Sequence, residues 1–428
     1  MVFLYDLIFF LLFLFFLPVY LVKGKLHSGF LCRLGIMPKG IVFDSPIWIH
    51  TVSVGEAMAV KEFVSGLRGR YPGVQMVFST VTPTGNQVAR SFAQPQDAVI
   101  YLPLDFSLVV RLVLRRMRPR LFLAAETEFW PNLLSALHAY GVPAAVINGR
   151  ISDRSLRGYA RLKMLFAPLL RKIGFFCVQT EEDAERLVSL GVENGRIKVT
   201  GNLKFDAGIS SVSAAAAAAC RLTLGLGEEE RLLVAGSTHE GEEELVLRAY
   251  EIAAAGRRHV RLLLAPRHPR RAVEVAGLLR ARGFHAVMVS GLEKGGGDGR
   301  EDSEAVFVLD SVGKLFDYYG AAYAVFVGGS LVPRGGHNII EPASWSKPVL
   351  CGPYTFNFRE IISIFSRDDA CINVGGTGQL AQAWAELLDH PGRATEAGRK
   401  ARGVIDRHRG AGLRTLDAVA LLVNGKGI

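Results

Sequence analysis

The chain has 428 residues, half of them hydrophobic, with 46 glycines and a formal charge of +10. That is too long for one ordinary domain and rich enough for the cores of two. The positive balance suits anionic membranes or phosphorylated substrates; without zinc-finger spacing, an RNP-like aromatic motif or a long basic tail, nucleic acid is not expected as a partner.

Residues 1–22 are nearly all apolar, and Asp6 is their only charge. About 20 apolar residues suffice to cross a bilayer core. The basic residues Lys23, Lys25 and Arg33 follow the apolar run, and no small-residue cleavage site precedes them. This predicts an uncleaved transmembrane anchor over 1–24 rather than a secretory signal peptide. The positive-inside rule then leaves the rest of the chain in the cytoplasm. The five cysteines (Cys32, Cys177, Cys220, Cys351 and Cys371) are scattered and form no CxxC. They fit a reducing compartment and argue against a disulfide framework or a structural zinc site.

From Ile47 onward, short β-branched runs alternate with helical patterns. The first series predicts strands at Ile47–Val52, Gln75–Thr80, Ala98–Tyr101, Leu121–Ala125, Ala144–Asn148, Phe175–Gln179 and Ile197–Thr200. Residues 207–230 carry an Ala run, Ala214–Ala219, and no strand. A second series follows at Arg231–Ala235, Val260–Ala265, His285–Val289, Ala305–Leu309, Tyr323–Val327, Pro348–Cys351 and Ala370–Val374, with a surface loop at Gly295–Gly297. Alternation of this kind implies α/β architecture with doubly wound parallel sheets. The expected division is a Rossmann-like domain over 40–208, a linker over 209–230, and a second Rossmann-like domain with C-terminal helices over 231–428. Two such domains in series are the GT-B layout, with an interdomain cleft at the carboxyl ends of the strands. No P-loop and no GxGxxG occur.

Acidic residues collect at predicted strand ends. Glu56 follows Ile47–Val52 through Ser53-Val54-Gly55 and opens a helix. A carboxylate there either takes a proton from an attacking hydroxyl or complements the helix dipole. Glu126 and Glu128 follow Leu121–Ala125, with Pro131 starting a helix; a catalytic and a capping role are both open. Thr80–Gly85 offers hydroxyls for a phosphate or for a simple turn. The basic stretches Arg150–Lys163 and Leu108–Arg120 either face an anionic leaflet or are ordinary solvated helix faces.

In the second series, Pro266 and Arg267 end the strand Val260–Ala265, and Arg267 is placed to meet a phosphate. Val312, Gly313 and Lys314 follow Ala305–Leu309, where backbone amides can bind a nucleotide. Gly328-Gly329 and Arg334-Gly335-Gly336-His337 lead into Asn338, Ile339, Ile340 and Glu341. Glycine pairs let backbone approach a ligand closely, and Glu341 can accept from ribose hydroxyls. No DxD motif and no His/Asp/Glu spacing typical of a metal site is present, so neither metal nor cofactor is expected.

Several stretches together resemble the bacterial Kdo (3-deoxy-D-manno-octulosonic acid) transferases, glycosyltransferase family 30. They are WIHTVSVGE (48–56), STVTPTG (79–85), ETEFWPN (126–132), NGRISDRS (148–155), GNLKFD (201–206), AGSTHEGEE (235–243), APRHPRR (265–271), FVGGSLVPRGGHNIIEP (326–342) and GPYTFNF (352–358). They run in order along almost the whole chain. The resemblance implies inverting, metal-independent transfer of Kdo from CMP-Kdo to the 6′-hydroxyl of a lipid A precursor, lipid IVA, in lipopolysaccharide biosynthesis. It implies Glu56 as general base, with the ExE acids Glu126 and Glu128 also involved. CMP contacts fall on Pro266, Arg267, Val312, Gly313, Lys314, Asn338, Ile339, Ile340 and Glu341. The implied setting is the cytoplasmic side of the inner membrane, beside anionic lipids. The rival readings are another GT-B nucleotide-sugar enzyme, such as a UDP-sugar transferase or epimerase, and a non-catalytic membrane-tethered binder.

Overall fold

A computed structural model describes residues 2–22, 29–37, 40–206, 212–294 and 305–423. Lys23, Lys25 and the loop Gly295–Gly297 lie outside the described residues. The chain forms two compact units, one of 1–207 with 408–428 and one of 208–407.

The first unit holds a seven-stranded sheet. Its strands are β1 (Ile47–His50), β2 (Met76–Thr80), β3 (Ala98–Tyr101), β4 (Leu121–Ala125), β5 (Ala144–Gly149), β6 (Phe175–Val178) and β7 (Ile197–Val199), in the order β3-β2-β1-β4-β5-β6-β7. All neighbours are parallel. Side chains alternate between faces as the pleat requires. Ile47 and Ile49 enter one core with Val60, Phe63 and Val64 of the helix Val54–Arg70. Trp48 enters the other, edge-on to Phe122, and its indole N–H donates to Ser79 Oγ at 2.7 Å. That bond satisfies the polar end of a fully buried aromatic.

The second unit repeats the design with β8 (Arg231–Thr238), β9 (Val260–Pro266), β10 (His285–Met288), β11 (Ala305–Val308), β12 (Ala324–Val327), β13 (Val349–Cys351) and β14 (Ile372–Asn373). Their order is β10-β11-β9-β8-β12-β13-β14, again parallel. Every strand expected from the alternation is present within one to three residues at its ends.

Two expectations about the domains need correction. The stretch 209–230 is not a simple linker, because Ala214–Thr223 is a helix of the second unit, capped by Ser213. Six alanines favour helix over any strand. The C-terminal tail, expected with the second domain, packs on the first. Its helix Ala411–Val423 puts Leu416, Ala418 and Val419 into the Ile47–Ile49 core. Gly66 permits the approach, since a Cβ there would sit 2.6 Å from Leu416. The Asp206 carboxylate fixes the tail by accepting from the N–H of Gly410 and of Gly412, both at 2.6 Å.

The apolar N-terminus is one helix, Val2–Val22. Its first turns are docked on the first unit rather than free. Asp6 accepts from the Ser107 N–H at 3.1 Å, from the Ser107 hydroxyl at 2.5 Å and from Asn132 Nδ2 at 2.6 Å. Phe9 meets Phe106 edge-on at 5.0 Å. Among the described residues no helix is long and apolar enough to cross a membrane. The opposite face leaves Leu7, Ile8, Leu11, Leu12 and Phe15 exposed.

The tail dock gives a direct test. Asp206→Ala leaves two amides without their charged acceptor and should lower unfolding free energy by about 2 kcal/mol. Thermal denaturation checks this, and an unchanged midpoint would show that apolar packing alone holds the tail.

Candidate active site

In the first sheet the strand order reverses between β1 and β4, the switch point at which doubly wound sheets bind ligands. Glu56 leaves the end of β1, and Glu126 and Glu128 leave the end of β4. Ser53 caps the helix Val54–Arg70, its hydroxyl oxygen accepting from the Glu56 N–H. Glu56 reaches back: Oε2 accepts from the Val52 N–H at 2.7 Å and Oε1 from the Ser53 hydroxyl at 2.9 Å. The capping role is therefore real, and lone pairs remain on both oxygens for a proton. Burial pushes the Glu56 pKa up; the Val52 N–H and Ser53 oppose this, while the charges of Glu126 and Glu128 add to it. The three acids thus feel one another, which residue spacing alone left open.

Each ExE acid has its own support. Glu126 has a left-handed backbone, φ 58°, and Lys204 Nζ stands 3.7 Å from its Oε1. Glu128 accepts from the Trp130 indole N–H at 2.9 Å. Behind it lies His50, fully buried, with Nδ1 against Ser79 and Nε2 3.8 Å from Glu128 Oε2. In the stretch Thr80–Gly85 the hydroxyls of Thr80 and Thr82 are occupied locally. Thr82 Oγ1 accepts from the Gly85 N–H and donates to the Val52 carbonyl, bracing the loop that carries Glu56.

In the second unit, Pro266 and Arg267 sit at the end of β9, Arg267 exposed and its N–H bound to the Thr238 carbonyl at 2.9 Å. Val312, Gly313 and Lys314 are exposed at the end of the neighbouring β11. Lys314 Nζ is held by Glu293 at 2.6 Å. Asn338 Oδ1 accepts from the Ile340 N–H, and its Nδ2 donates to Glu341 Oε1 at 3.2 Å. Ile339 and Ile340 are buried and fix this turn. Burial raises the Glu341 pKa, while Asn338 and Arg267 oppose the rise. Arg267 and the Asn338 turn therefore share one electrostatic environment.

Residue-by-residue reading missed the groups that shape this environment. The second sheet reverses between β8 and β12, and Glu242 bridges the loops that leave them. Its fully buried carboxylate accepts from the N–H groups of Gly329, Ser330, Leu331 and His239 at 2.6–3.2 Å. His239 Nε2 lies 2.9 Å from His337 Nε2, with the rings nearly coplanar at 7°. Gly329 makes room, since a Cβ there would meet the His337 ring at 3.0 Å. The signal was available in AGSTHEGEE, the segment that leaves the first strand of the second sheet.

Residues 28–207 match the family described as 3-Deoxy-D-manno-octulosonic-acid transferase (kdotransferase). The chain is 32% identical to a 3-deoxy-D-manno-octulosonic acid transferase of Haemophilus influenzae, over 87% of this chain and 86% of that protein. It is 33% identical to one of Bordetella pertussis, over 88% and 87%. Its fold is like that of a UDP-GlcNAc 2-epimerase from Neisseria meningitidis bound to UDP-GlcNAc. That likeness has a TM-score of 0.60 at 14% identity, over 88% of this chain and 99% of the other. Two Rossmann-like sheets, acids at one switch point and basic groups at the other, and relatives along nearly the whole length place the chain in the 3-deoxy-D-manno-octulosonic acid transferase family of glycosyltransferases.

Proposed function

We propose that the protein transfers Kdo from CMP-Kdo to the 6′-hydroxyl of lipid IVA, with inversion and without a metal. The observation that carries the reading is Glu56. It is a part-buried carboxylate at the end of β1, held by Val52 and Ser53, with a raised pKa in a chain of this family. A general base works best when its pKa approaches the working pH. Glu56 takes the proton of the acceptor hydroxyl. That oxygen attacks the anomeric carbon, the bond from this carbon to the phosphate oxygen breaks, and its electron pair leaves with CMP. Glu126 and Glu128 act on Glu56 through their charge. Pro266, Arg267, Val312 to Lys314, and Asn338 to Glu341 hold CMP. A monophosphate leaving group needs less countercharge than a diphosphate, and the basic groups around Arg267 supply it.

Glu56→Gln should lower kcat by about 10²–10⁴-fold and leave CMP affinity unchanged; near-normal turnover would remove Glu56 as the base. The base must be ionised and its pKa is raised. Activity should therefore fall on the acid side at a pH above the ordinary glutamate range. Replacing Glu126 by Gln removes a charge that raises this pKa and should move the acid limb of kcat/KM to lower pH; an unmoved limb would show that another group titrates there.

We also propose that the helix Val2–Val22 attaches the protein through its exposed apolar face to the cytoplasmic face of the inner membrane, beside anionic lipids. Its exposed face of Leu7, Ile8, Leu11, Leu12 and Phe15 supports this, since water leaves so contiguous an apolar surface uncovered. The full chain should sediment with membranes, while a chain starting at Lys25 should stay in the supernatant. A full chain that stays in the supernatant would contradict the attachment.

A further inference from the structure

The His239–His337 pair sits where the second sheet reverses, between the loop that leaves β8 and the loop that leaves β12. Two imidazoles meeting Nε2 to Nε2 must carry their protons unequally. With one proton per ring, one ring donates through Nε2, and the other accepts there and keeps its proton on Nδ1. A third proton goes to the bare Nδ1 of the donor ring. The bond survives and strengthens, now joining imidazolium to imidazole. A fourth proton sets two N–H groups against each other and breaks it. The pair therefore has room for one added charge and no more.

Its surroundings decide when that charge is taken. His268 lies edge-on to His239, 6.2 Å between ring centres. Arg267, Arg271 and Arg334 act on the pair electrostatically. Of the buried acids nearby, Glu242 is committed to four backbone amides, Glu341 to Asn338, and Glu243 to Arg271, while Glu240, next to His239, is exposed. Burial lowers both imidazoles, His337 to about 4, and the basic neighbours push the same way. The free pair is thus neutral near neutral pH. An anion placed among these groups reverses the sign of the field.

We infer that the His239–His337 pair is a proton-carrying anion receptor, which gains one proton when the phosphate of a cytidine nucleotide binds beside the Asn338 turn and loses it when that phosphate leaves. This rests on the donor assignment made above. The benefit falls in the transfer step. The phosphate gains a negative charge as the bond to the anomeric carbon breaks, and the pair already carries the compensating positive charge. Proton and anion binding are then reciprocal, each tightening the other.

Calorimetric titration of the full-length protein in detergent with CMP tests this, in buffers of differing ionisation enthalpy and at mildly alkaline pH, where the CMP phosphate is already fully ionised. The expected result is net uptake of a fraction of a proton per CMP that grows as the pH is lowered toward neutrality, with Kd weakening as the pH rises. His337→Gln and His239→Gln should each abolish uptake and flatten the pH dependence, with far-UV circular dichroism unchanged. Cytidine, which has no phosphate, should bind without uptake. CMP binding with no buffer-dependent heat, undiminished uptake in both variants, or equal uptake with cytidine would overturn the inference. The cytidine comparison needs only the natural protein, so it decides even if a variant fails to fold. Absence of CMP binding by the folded natural protein would overturn the donor assignment, and this inference with it.

Discussion

Parallel strands deliver all their carboxyl ends to one edge, and a sheet wound in both directions from its centre splays the loops at the point of reversal. The proposed function depends on this constraint at both reversals. In the first sheet it sets the acids after β1 and β4 within electrostatic reach of one another. In the second it sets the loops after β8 and β12 close enough for Glu242 to bind both and for two histidines to meet. No single segment contains either constellation.

The two edges handle buried charge differently. Glu242 is deeper than Glu56 and receives four amide N–H donors, which makes it a brace with little capacity left. Burial raises its pKa, and those donors pull the other way. Glu56 receives only two donors and has acidic neighbours, so its affinity for a proton is higher than that of a free glutamate. Burial raises both carboxyls; they differ in that four amides take up the acceptor capacity of Glu242, whereas Glu56 has two donors and acidic neighbours. At the second edge the charges that act on the histidine pair are positive.

Much of this was legible in the sequence because it is local. The β-branched runs and the glycines between them fixed the strand series, and Glu56 announced itself by following a strand and opening a helix. The family resemblance, carried by motifs from 48 to 358, implies catalysis rather than capping for Glu56; what the structure shows there is the cap. What stayed hidden is non-local. The tail docks on the first unit through Asp206, some two hundred residues away. The partners His239 and His337 are separated by nearly a hundred residues, and Asp6 finds Ser107 and Asn132 only once the chain is folded. An apolar run reads as a membrane span on composition, whereas those contacts dock its first turns on the protein.

The central claim is the reaction itself, and it is tested most directly by following the lipid product. Full-length protein in detergent would be incubated with CMP-Kdo and a tetra-acylated lipid A precursor in the presence of a chelator, and the lipid read by mass spectrometry. The account predicts a mass gain of one or more Kdo units, undiminished by the chelator. An unchanged lipid, with CMP still bound by the protein, would contradict the acceptor assignment, and a gain that appears only when metal is restored would contradict the metal-free mechanism.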